Sequence, residues 1–203
     1  MLEAHRFEQI LNLESKYRNL ETFSDEPAED IYVLYAFGRA IRKSNANSED
    51  EICANGTIHY YERAKERLGE ANAADRRHNQ KGMKADIEMR LAVSYADGRD
   101  MEKAISSHRR FLENCNRDQV TAKYAIHLSD NFNRFGKFEY TIEVLEGCMD
   151  MMETFEYKNQ AETNLIFAYI ECSEFLKAKA SHEKRRSTAI NDCVARWQSG
   201  RIE

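Results

Sequence analysis

Proline and glycine are scarce, with one and eight among 203 residues. An all-β fold needs a turn every few residues, and such turns draw on both. That class is excluded. No apolar run reaches the roughly 18 residues of a membrane-spanning helix, so no span is expected. The five cysteines, Cys53, Cys115, Cys148, Cys172 and Cys193, are odd in number and form no C-x-x-C pair. This excludes a disulfide framework and a paired-cysteine zinc site, and points to reduced thiols in an intracellular chain. The opening "MLEAHRFEQI" is charged where a secretory signal needs an apolar core. Positive charge is not in excess either: 30 Lys and Arg stand against 35 Asp and Glu. The acidic excess lies in residues 1–75, with 15 acidic and 9 basic side chains. Phosphate-driven nucleic-acid binding usually needs the opposite balance.

Helix formers are abundant. Apolar residues make up 42% and charged residues 32%, much of it in runs of Ala, Glu, Lys, Arg, Leu and Met that favour the α-helix. The expected fold class is all-α.

The stretch "HLSDNFNRFGKFEYTIEVL" places a glycine between two aromatics. Its pattern recurs in "MRLAVSYADGRDMEKAISSH" and "TNLIFAYIECSEFLKAKASH". The leucines are Leu91, Leu128 and Leu165, 37 residues apart at each step. In phase with them run an aromatic column (Tyr95, Phe132, Tyr169), a turn column (Arg99, Gly136, Ser173) and an apolar column (Met101, Phe138, Phe175). A small column (Ala104, Thr141, Ala178) follows. A fixed period in this range indicates a solenoid. Leu91, Ala92 and Tyr95 share one face of a first helix, and Met101, Ala104, Ile105 and His108 mark a stripe on a second. Gly136 suits a left-handed turn at little steric cost. Arg99 and Ser173 in its column imply that the turn tolerates other residues.

These columns resemble the tetratricopeptide repeat over residues 85–186, as three repeats. The resemblance implies a right-handed α-solenoid of helix-turn-helix units. The 37-residue spacing, the absence of the family's closing proline, and Ile166 at a usually small position depart from its pattern. Upstream, 28–75 reads as an irregular repeat with a polar insertion at 44–51. Residues 1–22 read as an amphipathic helix whose apolar side is Phe7, Ile10, Leu11, Leu13, Tyr17 and Leu20. A C-terminal capping helix is expected over 187–199, anchored by Trp197.

A narrower resemblance rests on "AFGRA" (Gly38, Arg39), the long polar insertion, "YYERAKERL" and the repeats that follow. Together they are similar to the N-terminal repeat region of Tonsoku-like proteins. This implies a nuclear role in replication-associated DNA repair. Ankyrin and leucine-rich repeats of that family have no counterpart here, so its histone reading is not carried over. LGN-type polarity scaffolds have similar long repeats and are an alternative home.

No residue set suggests catalysis or a cofactor. "FGKF" lacks the Ser or Thr and the distant glycine of a phosphate loop. "HEKRR" has Arg186 where a zinc-protease helix needs its second histidine. Cys53 with His59, and His108 with Cys115, match no zinc spacing. His108 and His182 occupy matching places and are expected in interhelical packing or at its rim.

The resemblance implies a partner protein held on the concave surface of the first helices. Its residues are Met89, Arg90, Val93 and Asp97, then Lys123, His127, Asp130, Asn133 and Arg134, then Asn164 and Phe167. Lys123, His127 and Arg134 offer charge for acidic side chains, and the amides of Asn133 and Asn164 offer a grip on peptide backbone. Met89 and Val93 stand where chaperone-tail binders carry Lys and Asn, so a chaperone tail is not expected. "KAKASHEKRR" (Lys177 to Arg186) has five basic residues and one acidic. It reads as a solvated helix face, with nucleic-acid contact or nuclear import as the alternative.

Overall fold

The computed structural model describes residues 2–17, 27–44, 51–70, 79–115, 122–149 and 155–198. Among these, secondary structure is helical throughout, in nine α-helices. None is long and apolar enough to cross a membrane. The chain divides into two compact units, Met1–Asn116 and Arg117–Glu203.

The first unit holds α1 (Leu2–Tyr17), α2 (Pro27–Ser44), α3 (Glu51–Glu70), α4 (Asn79–Asp97) and α5 (Met101–Asn114). Helix α2 begins on Pro27, whose fixed φ and missing N–H suit a first helical position. It buries Ile31, Leu34, Phe37 and Ala40, one residue per turn. Helix α3 answers with Ala54, Thr57, Tyr60, Tyr61 and Ala64. Gly38 lets the two helices approach: a Cβ there would lie 2.7 Å from Cε1 of Tyr61.

Glu88 of α4 is fully buried. Its Oε1 takes Lys65 Nζ at 3.2 Å and Arg110 Nε at 3.0 Å. Arg110 also donates to the hydroxyls of Ser106 and Ser107. Two cations on α3 and α5 thus meet one anion on α4, which offsets the cost of removing that carboxylate from water.

The second unit holds α6 (Ala122–Arg134), α7 (Phe138–Cys148), α8 (Phe155–Glu171) and α9 (Phe175–Gln198). Helices α6 and α7 form one hairpin, α8 and α9 another, and α8 packs on both α6 and α7. Thr141 of α7 is buried against α6, its hydroxyl donating to Asn133 Oδ1 at 2.8 Å.

Three turns share one geometry. Arg99, Gly136 and Ser173 have φ of 64°, 68° and 62°. The following N–H in each case reaches back across the turn: Asp100 to the Tyr95 carbonyl at 2.9 Å, Lys137 to Phe132 at 2.8 Å, Glu174 to Tyr169 at 2.7 Å. The turn residues donate to Ala96, Asn133 and Ile170. This is the paired 6→1 and 5→2 closure of a Schellman motif. The leucine, aromatic and small columns are buried in all three hairpins. Each buried ring contributes roughly 2 kcal/mol.

Several expectations are corrected. Leu13 is half exposed, and its neighbour Glu14 is buried instead, accepting a hydrogen bond from the Tyr60 hydroxyl. His108 is buried but His182 is exposed. Residues 187–198 are not a separate helix: α9 continues through them without a break. The reason for the exposure at His182 lies in α9 itself. Ile105 and Ile142, His108 and Leu145, Phe111 and Cys148 are buried on α5 and α7. The same columns on α9 hold Lys179, His182 and Arg185, and among its described side chains Ala178 alone is buried. Phe7, Tyr17, Leu20, Cys53, Cys193 and Trp197 lie outside the described side chains, as does most of the insertion at 44–51.

Candidate functional site

The expected partner-binding residues fall on first helices of the hairpins in both units. In the first unit they are largely engaged already. Arg90 Nε donates to the Tyr35 hydroxyl at 2.7 Å and to Asp86 Oδ2 at 3.0 Å, and Tyr35 donates to the same carboxylate. The Arg90 guanidinium lies 5.2 Å from the centre of the Tyr35 ring, and that of Arg39 lies 5.9 Å from it. Asp97 pairs with Arg42. Arg90 and Asp97 therefore tie α4 to α2, and Met89 and Val93 beside them are half-buried. The hydroxyl of Tyr61 lies behind this cluster. Burial pushes its pKa up, and Arg90, Arg42 and Arg39 pull against that rise.

In the second unit Lys123, His127, Asp130 and Arg134 follow one another at helical spacing on α6, and they share one face. Lys123, Asp130 and Arg134 are exposed and His127 is half-buried. His127 Nε2 sits 3.3 Å from Asn131 Nδ2. The two asparagines take a role different from the expected one. Asn164 Nδ2 donates to Ser129 Oγ at 2.9 Å and to Asp130 Oδ1 at 2.6 Å. Asn133 accepts from Thr141 and donates to the Asn164 carbonyl at 3.4 Å. Their amides cross-link α6 with α7 and α8. An amide at the join of two packed helices meets internal partners first. Phe167 of α8 is 45% exposed, its ring set edge-on to Phe138 with centroids 5.7 Å apart.

The basic segment on α9 is partly spent on neighbours. Lys177 Nζ lies 2.6 Å from Glu174 and 3.8 Å from Glu146. Lys179 lies 3.9 Å from Glu183, and Arg185 donates to Thr163 at 2.8 Å.

A set of paired columns was missed by reading the sequence in single columns. Where the aromatic is Tyr95, Lys103 lies over it at 5.3 Å and pairs with Asp100. Where it is Tyr169, Lys177 lies over it at 5.4 Å and pairs with Glu174. In the middle hairpin the aromatic is Phe132, the partner position is Tyr140, and the acid becomes Lys137, which lies 5.8 Å from the Tyr140 ring. Both tyrosines also donate to a carboxylate on another helix, Tyr95 to Glu62 at 2.5 Å and Tyr169 to Glu146 at 2.7 Å. Burial and these bonds hold both phenols well above the usual tyrosine range. The joint change of three columns was legible in the sequence and would have located these contacts.

Among the described residues, no three His, Cys, Asp or Glu side chains gather as a metal ion requires. The arrangement offers an open helical face of mixed charge with apolar contacts beside it. Comparison with protein-family models, curated proteins and solved structures finds no match to this chain.

Proposed function

We propose that the chain is a non-enzymatic adaptor: a right-handed solenoid of tetratricopeptide-like repeats whose first helices hold a segment of a partner protein. The observation that carries this is the left-handed turn closed in the same way at Arg99, Gly136 and Ser173. Identical hairpins at a fixed interval are the building unit of repeat proteins, and such proteins work by presenting an extended surface. The partner face of the second unit is α6, where Lys123 and Arg134 are exposed. The resemblance to Tonsoku-like proteins adds a setting: a nuclear complex that repairs replicating DNA. LGN-type scaffolds would place the same adaptor elsewhere in the cell. The occupant is a protein segment with acidic side chains, matched to Lys123, His127 and Arg134.

The test is capture of partners from the protein's own cells with the wild-type chain and with Lys123→Glu/Arg134→Glu. Direct binding of each captured partner is then measured with purified proteins. At least one partner should bind wild type and lose about tenfold or more in affinity on charge reversal. Helix content by circular dichroism should not change. Equal binding by both proteins would sink the α6 assignment. Replication-repair proteins among the lost partners would support the Tonsoku-like setting, and cortical or transport proteins would remove it.

A further inference from the structure

The turn between α8 and α9 carries an apolar surface that packing does not explain. Ile170 is 45% exposed, Phe175 63% and Leu176 86%. Phe167, one turn before Ile170, continues the patch on α8. The columns identify what is unusual. Positions 102 and 139, which correspond to 176, hold exposed glutamates. A column that faces solvent in all three hairpins does not need Leu176 for the core. Phe175 stands in the column of Met101, which is buried.

Acidic side chains border this patch. Glu139 and Glu171 are exposed, and among the described residues neither has a cation within ion-pair distance. Glu174 is shared with Lys177. Glu171 and Glu174 flank the turn in the chain, and Glu139 follows Phe138, whose ring contacts Phe167; burial first and then these three carboxylates raise the Cys172 thiol. Exposed aliphatic and aromatic groups edged by unpaired carboxylates match an amphipathic helix with lysine or arginine beside its apolar stripe. A second copy of the chain would bring the same carboxylates against themselves in a symmetric contact. An anionic lipid surface would meet the same repulsion.

We propose that the α8–α9 turn is a docking site for a basic amphipathic helix of a partner protein, seated on Ile170, Phe175 and Leu176 and held by Glu139 and Glu171. This seat uses none of the α6 residues and prefers the opposite charge. The probe is a fluorescein-labelled synthetic peptide with leucine at i, i+3, i+4 and i+7 and lysine between. A control peptide replaces every lysine by glutamate. Anisotropy is read with the full chain at physiological ionic strength. The lysine peptide should bind with a micromolar dissociation constant and the glutamate peptide should not. Leu176→Ser and Phe175→Ser, both at exposed positions that spare the core, should each weaken binding about tenfold. Glu139→Lys/Glu171→Lys should weaken it and remove most of its salt dependence. Lys123→Glu/Arg134→Glu should leave it unchanged, which separates this site from the α6 face. Comparable binding of the glutamate peptide, insensitivity to the Leu176 and Phe175 changes, or no binding at about 1 mM peptide would overturn the proposal. Concentration-dependent self-association abolished by Leu176→Ser would overturn it in favour of a second copy.

Discussion

At the scale of a residue, the turn column separates conformation from identity. Arg99 and Ser173 hold φ values within a few degrees of that at Gly136, although a side chain in that region costs about 1 kcal/mol relative to glycine. Ser173 is exposed, so its replacement isolates the backbone effect. Ser173→Gly is expected to raise stability by up to about 1 kcal/mol, and Gly136→Ala to lower it by about 1 kcal/mol. Urea unfolding midpoints at unchanged slope would check both. Opposite signs would mean that the turn is not strained as its dihedrals imply. Gly38 makes a different demand. Its φ is ordinary, and the Tyr61 ring, not the backbone, fills the place of a side chain. Scarce glycine therefore serves two distinct purposes in this chain.

At the scale of the helix, legibility tracked burial. Leu128, Phe132 and Thr141 were readable because an apolar or small residue repeated in phase, and these columns are buried. Glu88 was not readable, because a single carboxylate in an amphipathic helix resembles a solvated charge until Lys65 and Arg110 arrive from other helices. Glu14 and Leu13 failed for a related reason. One residue of helical phase decides which is inward, and the Tyr60 hydroxyl gives the acid a partner there. The candidate site was less legible than the fold. Asn164 and Arg90 were expected to face a partner, yet each closes a contact between helices, Asn164 with Asp130 and Arg90 with Tyr35. A list of exposed positions cannot tell a free side chain from one that has found its mate.

The tyrosine-to-carboxylate bonds lead to a prediction at this same scale. Tyr95 and Tyr169 have folded pKa values above the unfolded one of about 10. Above that pH the unfolded chain loses these protons while the folded chain keeps them. Their contribution to stability is therefore complete below about pH 10 and lost as pH rises further. Thermal midpoints should fall between about pH 10 and 11, and Tyr95→Phe/Tyr169→Phe should flatten that fall. An equally steep fall in the double variant would assign the alkaline loss to other groups.

At the scale of the whole molecule, charge decides between partners. The chain carries a net −5, and Lys177, Lys179 and Arg185 of α9 already contact Glu174, Glu183 and Thr163. Duplex DNA should therefore not bind at about 50 mM salt, as judged by anisotropy of a labelled oligonucleotide. Salt-sensitive binding lost in Lys184→Ala/Arg185→Ala/Arg186→Ala would restore a nucleic-acid role. The three matched turns carry a last consequence for which changes the chain tolerates. Their closing bonds run from backbone to backbone, so a change of letter at Arg99 or Ser173 leaves the bonds in place. A gained or lost residue would instead rotate the following helix by about 100° and turn its inward stripe away. Hairpins closed in this way can therefore differ in spelling and keep their shape, while a change in the count of residues does not leave it intact.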